Sequence, residues 1–320
     1  MSDVSLAPQR IEIPDSHRGD FAVVVPAFNE APVIPDLIRE LRETFRRHGL
    51  EGEVILVDDG SSDGTAELAR KEAGDWPALR VVQHPRNFGK TEAMLTAARA
   101  TDRSVLVVFD ADLQHSTEEI PRLLSVIAQG WDIVCGRKIG AYDKQVVSSI
   151  YNRLSHRIFQ VPVSDLNSIK AFRTEILRGI HLRHDWHRFF VVLAHSRGYS
   201  VTEMDVALFP RRAGVSKYSG GWRVVGGLVD LISVWFLLIF SRKPLLLFGT
   251  LGLAMIVLGF VVGLVAIYLR VFYQLGFRPL LTLVALLEIV GFTVFGFGLL
   301  AEMVALVREE VEEFRRHGPG

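Results

Sequence analysis

A single cysteine, Cys135, stands in 320 residues, which excludes an intramolecular disulfide and a zinc site built on several thiolates. It follows the apolar pair Ile133-Val134 and reads as a small core residue. Net charge is also missing. The 36 basic residues balance 36 acidic ones, so no global basic field points to nucleic acid as a partner. The first 20 residues lack an apolar run, are polar and carry Pro8 and Pro14; they do not read as a secretory signal, and the chain is expected to start in the cytosol. There is no convincing internal repeat and no low-complexity tract.

The chain is rich in apolar residues, at 49% with a mean hydropathy of +0.26, high for a purely soluble enzyme. The surplus is concentrated near the carboxyl end. Residues 1–20 read as a flexible tail and 21–220 as a soluble α/β domain. Strand-like runs fall at 21–28, 53–59, 80–84, 104–111 and 132–137, separated by helical patterns near 31–48, 63–72, 90–100 and 117–129. That alternation predicts βαβ units and a mostly parallel sheet. Asp63 or Ser62 is placed to cap one helix, and Ser116 or Thr117 another, with Glu119 three residues after Ser116 as in a capping box.

Beyond Gly220 the composition changes. Residues 221–243 read as an amphipathic interfacial helix in which Asp230 and Ser233 interrupt an apolar stretch. Two apolar runs follow at 244–269 and 280–307, the second broken only by Glu288 and Glu302. Each exceeds the roughly 20 helical residues that cross a hydrocarbon core of about 30 Å. The short connection makes them a hairpin. Arg242-Lys243 before it and Arg308, Arg315 and Arg316 in the tail at 308–320 favour both ends in the cytosol, against Arg270 and Arg278 in the connection. This predicts a two-pass protein of the cytoplasmic membrane with its α/β domain in the cytosol. Gly249, Gly252, Gly259 and Gly263 permit close helix approach and hence a homo-oligomer. Glu302 reads as reaching the interface, and Glu288, well inside the span, as a contact between helices or protomers.

The chemistry gathers at three strand ends. The first strand runs into PAFNE, where Pro26 stops the ladder and Asn29-Glu30 turn the chain. The second ends VDDGSSDGT. A Gly-rich turn with capping residues accounts for most of it, but not for Asp58 and Asp59 side by side. Crowded carboxylates want a partner, and a ribose hydroxyl or a base N–H supplies one. The third, VLVVFDADLQH, is a buried strand ending in Asp110-Ala111-Asp112. Two carboxylates separated by one residue at such an end can hold a hard cation between protein and a diphosphate. Gln114 could complete that oxygen shell; His115 reads as a surface imidazole.

PAFNE, VDDGSSDGT and DADLQH resemble, in type, order and spacing, the family 2 inverting glycosyltransferases, and among them the polyprenyl-phosphate sugar transferases. CGRK at 135–138, SSIYNRLSHRIF at 148–159, VSDLNSIKAFR at 163–173, RRAGVSKY at 211–218 and the two apolar spans extend the likeness over most of the chain. The resemblance implies a nucleotide-diphospho-sugar transferase domain with a Rossmann-like sheet. It also implies a UDP- or GDP-linked sugar donor, a Mg²⁺ or Mn²⁺ cofactor and a polyprenyl phosphate acceptor in the membrane. Carried over by position, Pro26, Phe28 and Glu30 with Asp58 and Asp59 would surround the nucleoside. Asp110, Ala111, Asp112 and Gln114 would face the diphosphate and metal, and Arg137, Arg153, Arg211 and Lys217 the reacting phosphates. Arg157 reads as a solvated surface charge, and Gly214 lets the basic loop turn. One departure is visible: where many members have Ser-Gly-Phe, this chain has Ser168-Ile169-Lys170, which leaves the sugar open. Two other readings stand beside this one. A hydroxyl acceptor would need a base, for which Asp185 is the candidate. A non-catalytic membrane-anchored nucleotide-binding protein would not need Asp110, Asp112, Arg211 and Lys217 intact.

Overall fold

The computed structural model describes residues 13–139, 161–183, 186–210, 236, 244–274, 276 and 278–317. Arg153, Arg157, Asp185, Arg211, Gly214, Lys217 and nearly all of the expected interfacial helix lie outside them. The chain divides into two compact units, Met1–Ser219 and Gly220–Gly320.

The first unit is built on one sheet. Its strands are β1 (Phe21–Ala27), β2 (Glu53–Asp58), β3 (Leu79–Gln83), β4 (Val105–Val108), β5 (Ile133–Ile139), β6 (Lys170–Arg173) and β7 (Val201–Ala207), in the order β3-β2-β1-β4-β6-β5-β7. All neighbours pair in parallel except β6, which runs antiparallel to both β4 and β5. β1 and β4 are central and fully covered on both faces, which is why FAVVV and VLVV read as unbroken apolar runs. On one face α2 (Ile34–His48) and α5 (Glu119–Ile127) lay Ile34, Leu37, Ile38, Leu41 and Phe45, and Ile120, Leu123, Leu124 and Ile127, over Val23, Val25, Val105 and Val107. The spacing of the α2 set is the 3–4–7 stripe of an amphipathic helix. The other face carries α4 (Lys90–Arg99), with Ala93, Met94 and Ala97 buried, packed on β1 and β2. α3 (Thr65–Ala73), α6 (Thr174–Gly179) and α7 (Phe190–Ser196) complete the unit.

Two expectations need correction. Part of the 1–20 tail is ordered: Asp15–Arg18 form a helical turn, α1, and Ile13 is buried in the core cluster. A single apolar side chain suffices to fix that segment because Arg18 Nε also donates to Ile13 O. The capping box does not form. Ser116 Oγ accepts Glu118 N, and the buried Glu119 carboxylate pairs with Arg122 instead of returning to the helix start. Ahead of α3 it is Asp63, one residue before the left-handed Gly64, that accepts Thr65 N at 3.1 Å.

In the second unit α8 (Pro244–Tyr273) and α9 (Arg278–His317) pack on each other. Pro244–Tyr273 and Arg278–Val307 are each long and apolar enough to cross a membrane. Outward residues such as Phe260, Leu264, Ile289 and Leu300 are exposed. α9 continues through 308–317 as helix rather than ending in a separate tail, since no Gly or Pro intervenes before Gly318. The small residues are used inside the hairpin. A Cβ on Gly252 would lie 2.7 Å from Gly291 O and 2.6 Å from Phe295 N; one on Gly298 would lie 3.0 Å from Gly249 N. These glycines therefore join the two helices of one chain and do not argue for a homo-oligomer. Glu288 occupies the space left by Gly259, where a Cβ would meet its Oε1 at 2.8 Å. Glu302 reaches back to the start of α8 and accepts Leu245 N at 3.0 Å, occupying one of the amides a helix start leaves unpaired. Gly252→Leu is expected to overpack this contact at a cost of about 1–3 kcal/mol or more. The measurement is the thermal midpoint in detergent micelles; it should fall for this variant and stay put for Leu253→Ala on the exposed face.

Candidate functional site

The site starts where the sheet stops pairing. The β1–β4 register ends at Val24↔Val108, with Phe109 N donating to Val24 O at 2.9 Å. β1 goes on pairing with β2 as far as Ala27↔Asp58, and Asp59 N donates to Ala27 O at 2.8 Å. Val24 O faces β4, and the next residue of β1 to face that way is Pro26, which has no N–H to give. β1 and β4 thus part at the point where strand order reverses, the crevice in which open α/β sheets take their ligands. Pro26, Phe28 and Glu30 line its β1 wall, each partly exposed, while Val25 and Ala27 stay buried.

The loop after β2 is stitched to the loop after β1. Asn29 has a left-handed backbone, with φ +52°, and its N–H donates to Ser61 Oγ at 2.8 Å. Glu30 N donates to Thr65 Oγ1 at 2.9 Å and Ala31 N to Asp63 Oδ2 at 3.0 Å; in return Asn29 Oδ1 accepts Ser62 N at 2.9 Å. The backbone hydrogen bonds lost by ending the strand are recovered from side chains. Gly60 is required here: its φ is +72°, and a Cβ would sit 2.5 Å from Arg86 Cα.

The two aspartates of VDDGSSDGT do different things. Asp58 is fully buried; Oδ1 accepts Ser61 N at 3.1 Å, and Oδ2 is buried with no hydrogen-bond partner among the described residues. Such an oxygen is costly unless a ligand donor meets it. Asp59 is 4% exposed and committed to the protein. Its carboxylate accepts Phe88 N at 2.9 Å and Gly89 N at 2.7 Å and contacts His84 Nδ1 at 2.8 Å, holding the β3–α4 loop in place. It thereby positions Lys90 at the head of α4, with both of its oxygens hydrogen-bonded within the protein.

Past β4 the alternation of the strand persists. Phe109, Ala111 and Leu113 are buried in the core, whereas Asp110, Asp112 and Gln114 are partly exposed, so three oxygen-bearing side chains share one side. The Ala111 side chain is therefore core, not site. Gln114 N donates to Asp112 Oδ1 at 3.2 Å across Leu113, whose φ is +52°. Lys90 Nζ is hydrogen-bonded to Asp110 Oδ1, the two side chains being 24% and 35% exposed. Burial alone would push the Asp110 carboxyl up; the Lys90 ammonium outweighs it and holds the pKa at about 2, with smaller contributions from His115 and His187. His115 is buried at 5% exposure, not a surface imidazole, because the chain after β7 lies over it: Phe209 N donates to Gln114 O at 2.8 Å. Burial lowers the His115 pKa, so near neutral pH the ring is uncharged and its Nδ1–H donates to Ala207 O at 3.2 Å. His187, in the 3₁₀ turn Trp186–Arg188, is pushed well below the ordinary histidine range by burial and then by Lys90, Lys170 and Arg188; its N–H donates to Thr91 Oγ1 at 3.1 Å.

Arg137 is held by carboxylates of the neighbouring strand. It is on β5 with a half-exposed side chain, bound across the strand pair to Asp205 at 2.6 Å and Glu203 at 3.1 Å. Any role at a phosphate requires release from two carboxylates. The structure adds Lys90, His84 and His187, which sequence reasoning passed over, and buries Lys170 of the Ser168-Ile169-Lys170 departure. Lys90 carried a readable signal: a lysine at the first position of a helix opposes the helix dipole and wants an anion nearby.

The model of "Glycosyl transferase family 2" matches residues 22–194, more than half of the chain and all three acidic strand ends. The chain belongs to glycosyl transferase family 2. Among curated proteins, this family 2 glycosyltransferase is 33% identical over 303 residues to the dodecaprenyl-phosphate galacturonate synthase of Rhizobium johnstonii, covering 89% of this chain and 88% of that one. It is 30% identical over 305 residues to the undecaprenyl-phosphate 4-deoxy-4-formamido-L-arabinose transferase of Pectobacterium carotovorum, with 92% and 91% covered. Among solved structures it is similar to glucosyl-3-phosphoglycerate synthase of Mycobacterium tuberculosis in complex with Mn²⁺ and UDP. The TM-score is 0.56 at 19% identity, with 71% of this chain and 85% of that one covered, a likeness of fold.

The Lys90–Asp110 pair gives the glycosyltransferase a pH signature. Lys90→Met is expected to raise the Asp110 pKa from about 2. The depressed folded-state value means that the pair's stabilisation is full above the ordinary carboxylate pKa of about 4 and fades as pH falls toward 2. Acid-unfolding curves of wild type and variant should therefore converge at the acid end of that window and separate above it.

Proposed function

We propose that this glycosyltransferase moves one sugar from a nucleoside-diphosphate donor to a polyprenyl phosphate, with inversion, at the cytosolic face of the cytoplasmic membrane. The observation that carries the acceptor is that the carboxylate and imidazole best placed to act as a base here are engaged by the protein, Asp110 Oδ1 by Lys90 Nζ and His115 Nδ1 by Ala207 O. That carboxyl is held near pKa 2, and His115 and His187 are both lowered. A hydroxyl acceptor would need a poised base, whereas a phosphate monoester is already an anion near neutral pH. The relatives named for dodecaprenyl and undecaprenyl phosphate, matched nearly end to end, support the same acceptor. So do the two apolar helices, which would hold the chain where such a lipid lies.

On the donor side, the crevice between β1 and β4 would take the nucleoside between Pro26, Phe28, Glu30 and Asp58, whose orphaned Oδ2 is set to accept a base N–H or ribose hydroxyl. Asp110, Asp112 and Gln114 offer oxygen only, the donor set of Mg²⁺ or Mn²⁺. Such a set would leave part of the ion's shell to substrate phosphates. Such an ion would neutralise charge on the departing diphosphate. Inversion follows from one displacement in which an acceptor phosphate oxygen attacks the anomeric carbon opposite the leaving group. Arg153, Arg211 and Lys217, with Arg137 once released, are proposed to bind the two anionic partners.

Asp112→Asn is expected to cut transfer by at least about 10²-fold while the protein stays folded and membrane-bound; the readout is lipid-linked sugar by mass spectrometry after incubation with a panel of nucleotide sugars and Mg²⁺ or Mn²⁺. Asp185→Asn is expected to keep substantial activity. A true base would cost about 10²–10⁴-fold, and a loss of that size in the chemical step would favour a hydroxyl acceptor.

A further inference from the structure

Lys170 stands where the sequence departs from the pattern it resembles, and the structure makes it more unusual. It opens β6, paired with Val108 on one side and Cys135 on the other, and only 4% of it is exposed. Lysine is seldom buried to that degree without a matching anion. Among the described residues its Nζ has one hydrogen-bond acceptor, Leu166 O at 2.9 Å, for three N–H donors. The nearest carboxylates are already in use: Asp165 pairs with Lys138 at 3.2 Å, and Asp110 with Lys90.

The surroundings have a surplus of one sign. His187, lowered first by burial, lies in the field of Lys90, Lys170 and Arg188 with Asp110 opposing them, and is itself uncharged near neutral pH. Burial lowers Lys170 to about 8, still protonated at pH 7, with Asp110 and Asp165 helping to keep it so. By its strand position Lys170 shares a sheet face with Val108 and hence with Asp110, two residues further along the same alternation. It therefore lies on the same sheet face as the carboxylate that borders the crevice, level with the residue two positions before it. On the proposed function, a sugar leaving a diphosphate held at Asp110 and Asp112 would lie beside this face.

We propose that Lys170 recognises a carboxylate on the transferred sugar, so that the donor is a nucleoside-diphosphate uronate. This rests on the polyprenyl-phosphate reading and adds the substrate class to it. A buried ammonium left short of acceptors rejects a neutral sugar by leaving its own donors unpaired, and accepts an acidic one through a charge-assisted hydrogen bond. No proton or bond changes at Lys170; its role is selection.

The test uses the full-length protein in detergent, undecaprenyl phosphate, and donors matched except at C6: UDP-glucuronate with UDP-glucose, UDP-galacturonate with UDP-galactose, and GDP-mannuronate with GDP-mannose. Wild type is expected to prefer one of the acids over its neutral partner by about 10²-fold or more in kcat/KM. Lys170→Met nearly keeps the side-chain volume between Val108 and Cys135; it should erase that preference by lowering kcat/KM for the acidic donor toward that of its neutral partner. Donor affinity measured by calorimetry without acceptor should show the same loss of discrimination. Wild type transferring neutral sugars as well as acids would overturn the inference without touching the proposed function. So would a variant that loses both donors equally with a raised KM for undecaprenyl phosphate, which would assign Lys170 to the acceptor phosphate. No lipid product from any donor would overturn the proposed function and this inference with it.

Discussion

A parallel sheet that stops pairing in its middle must find new partners for the backbone groups it strands. In this chain the break is set by one missing N–H, at Pro26, on the side of β1 that faces β4. Around it the amides of Asn29, Glu30 and Ala31 go to Ser61, Thr65 and Asp63, and those of Phe88 and Gly89 to Asp59. Residues that look like a recognition motif in VDDGSSDGT are thus largely the structural answer to an open crevice. What remains unanswered by protein is Asp58 Oδ2. A site can be located by this accounting: the polar atom left over, once the loops have satisfied each other, is the one shaped for a ligand.

The same accounting explains what the sequence disclosed. β1, β2 and β4 were legible because central parallel strands are apolar on both faces, and their ends because carboxylates cannot follow such runs without a reason. β6 was hidden. It has four residues, begins with a buried lysine and runs antiparallel between two strands called by nothing local in its own sequence. β7, VTEMDVA, lies at the sheet edge with most of its residues half-buried, and its mixed polarity looks like a loop. Both are stabilised by their neighbours, which a reading along the chain does not contain.

Side-chain roles followed the same division. Asp110 and Asp112 could be expected from their place at a strand end, whereas the separate tasks of Asp58 and Asp59 depend on which way each faces. His115 was misread because its partner comes from the far end of β7, where Ala207 O meets its Nδ1. Arg137 sits in a stretch matching the family, yet its contacts are cross-strand carboxylates that no motif reveals. The transmembrane glycines were legible as small residues but not as to their partner: the surfaces they could join are the same whether the second helix belongs to this chain or to another copy, and only the packing of Gly252 on Gly291 decides it.

The cations around Asp110 have two consequences that point the same way. Burial first, then Lys90, Lys170 and Arg188, depress the basicity of His187, and Lys90 against burial depresses that of Asp110, so these two groups are poor at taking protons. The same field attracts anions. A transferase acting on a hydroxyl needs the first property reversed, because its nucleophile must lose a proton as it attacks. A transferase whose acceptor, leaving group and, on the present inference, sugar all carry negative charge needs the second and is not harmed by the first. The charge pattern therefore fits a reaction between anions, in which the protein's task is to hold like charges together and aligned while the acceptor oxygen supplies its own electrons.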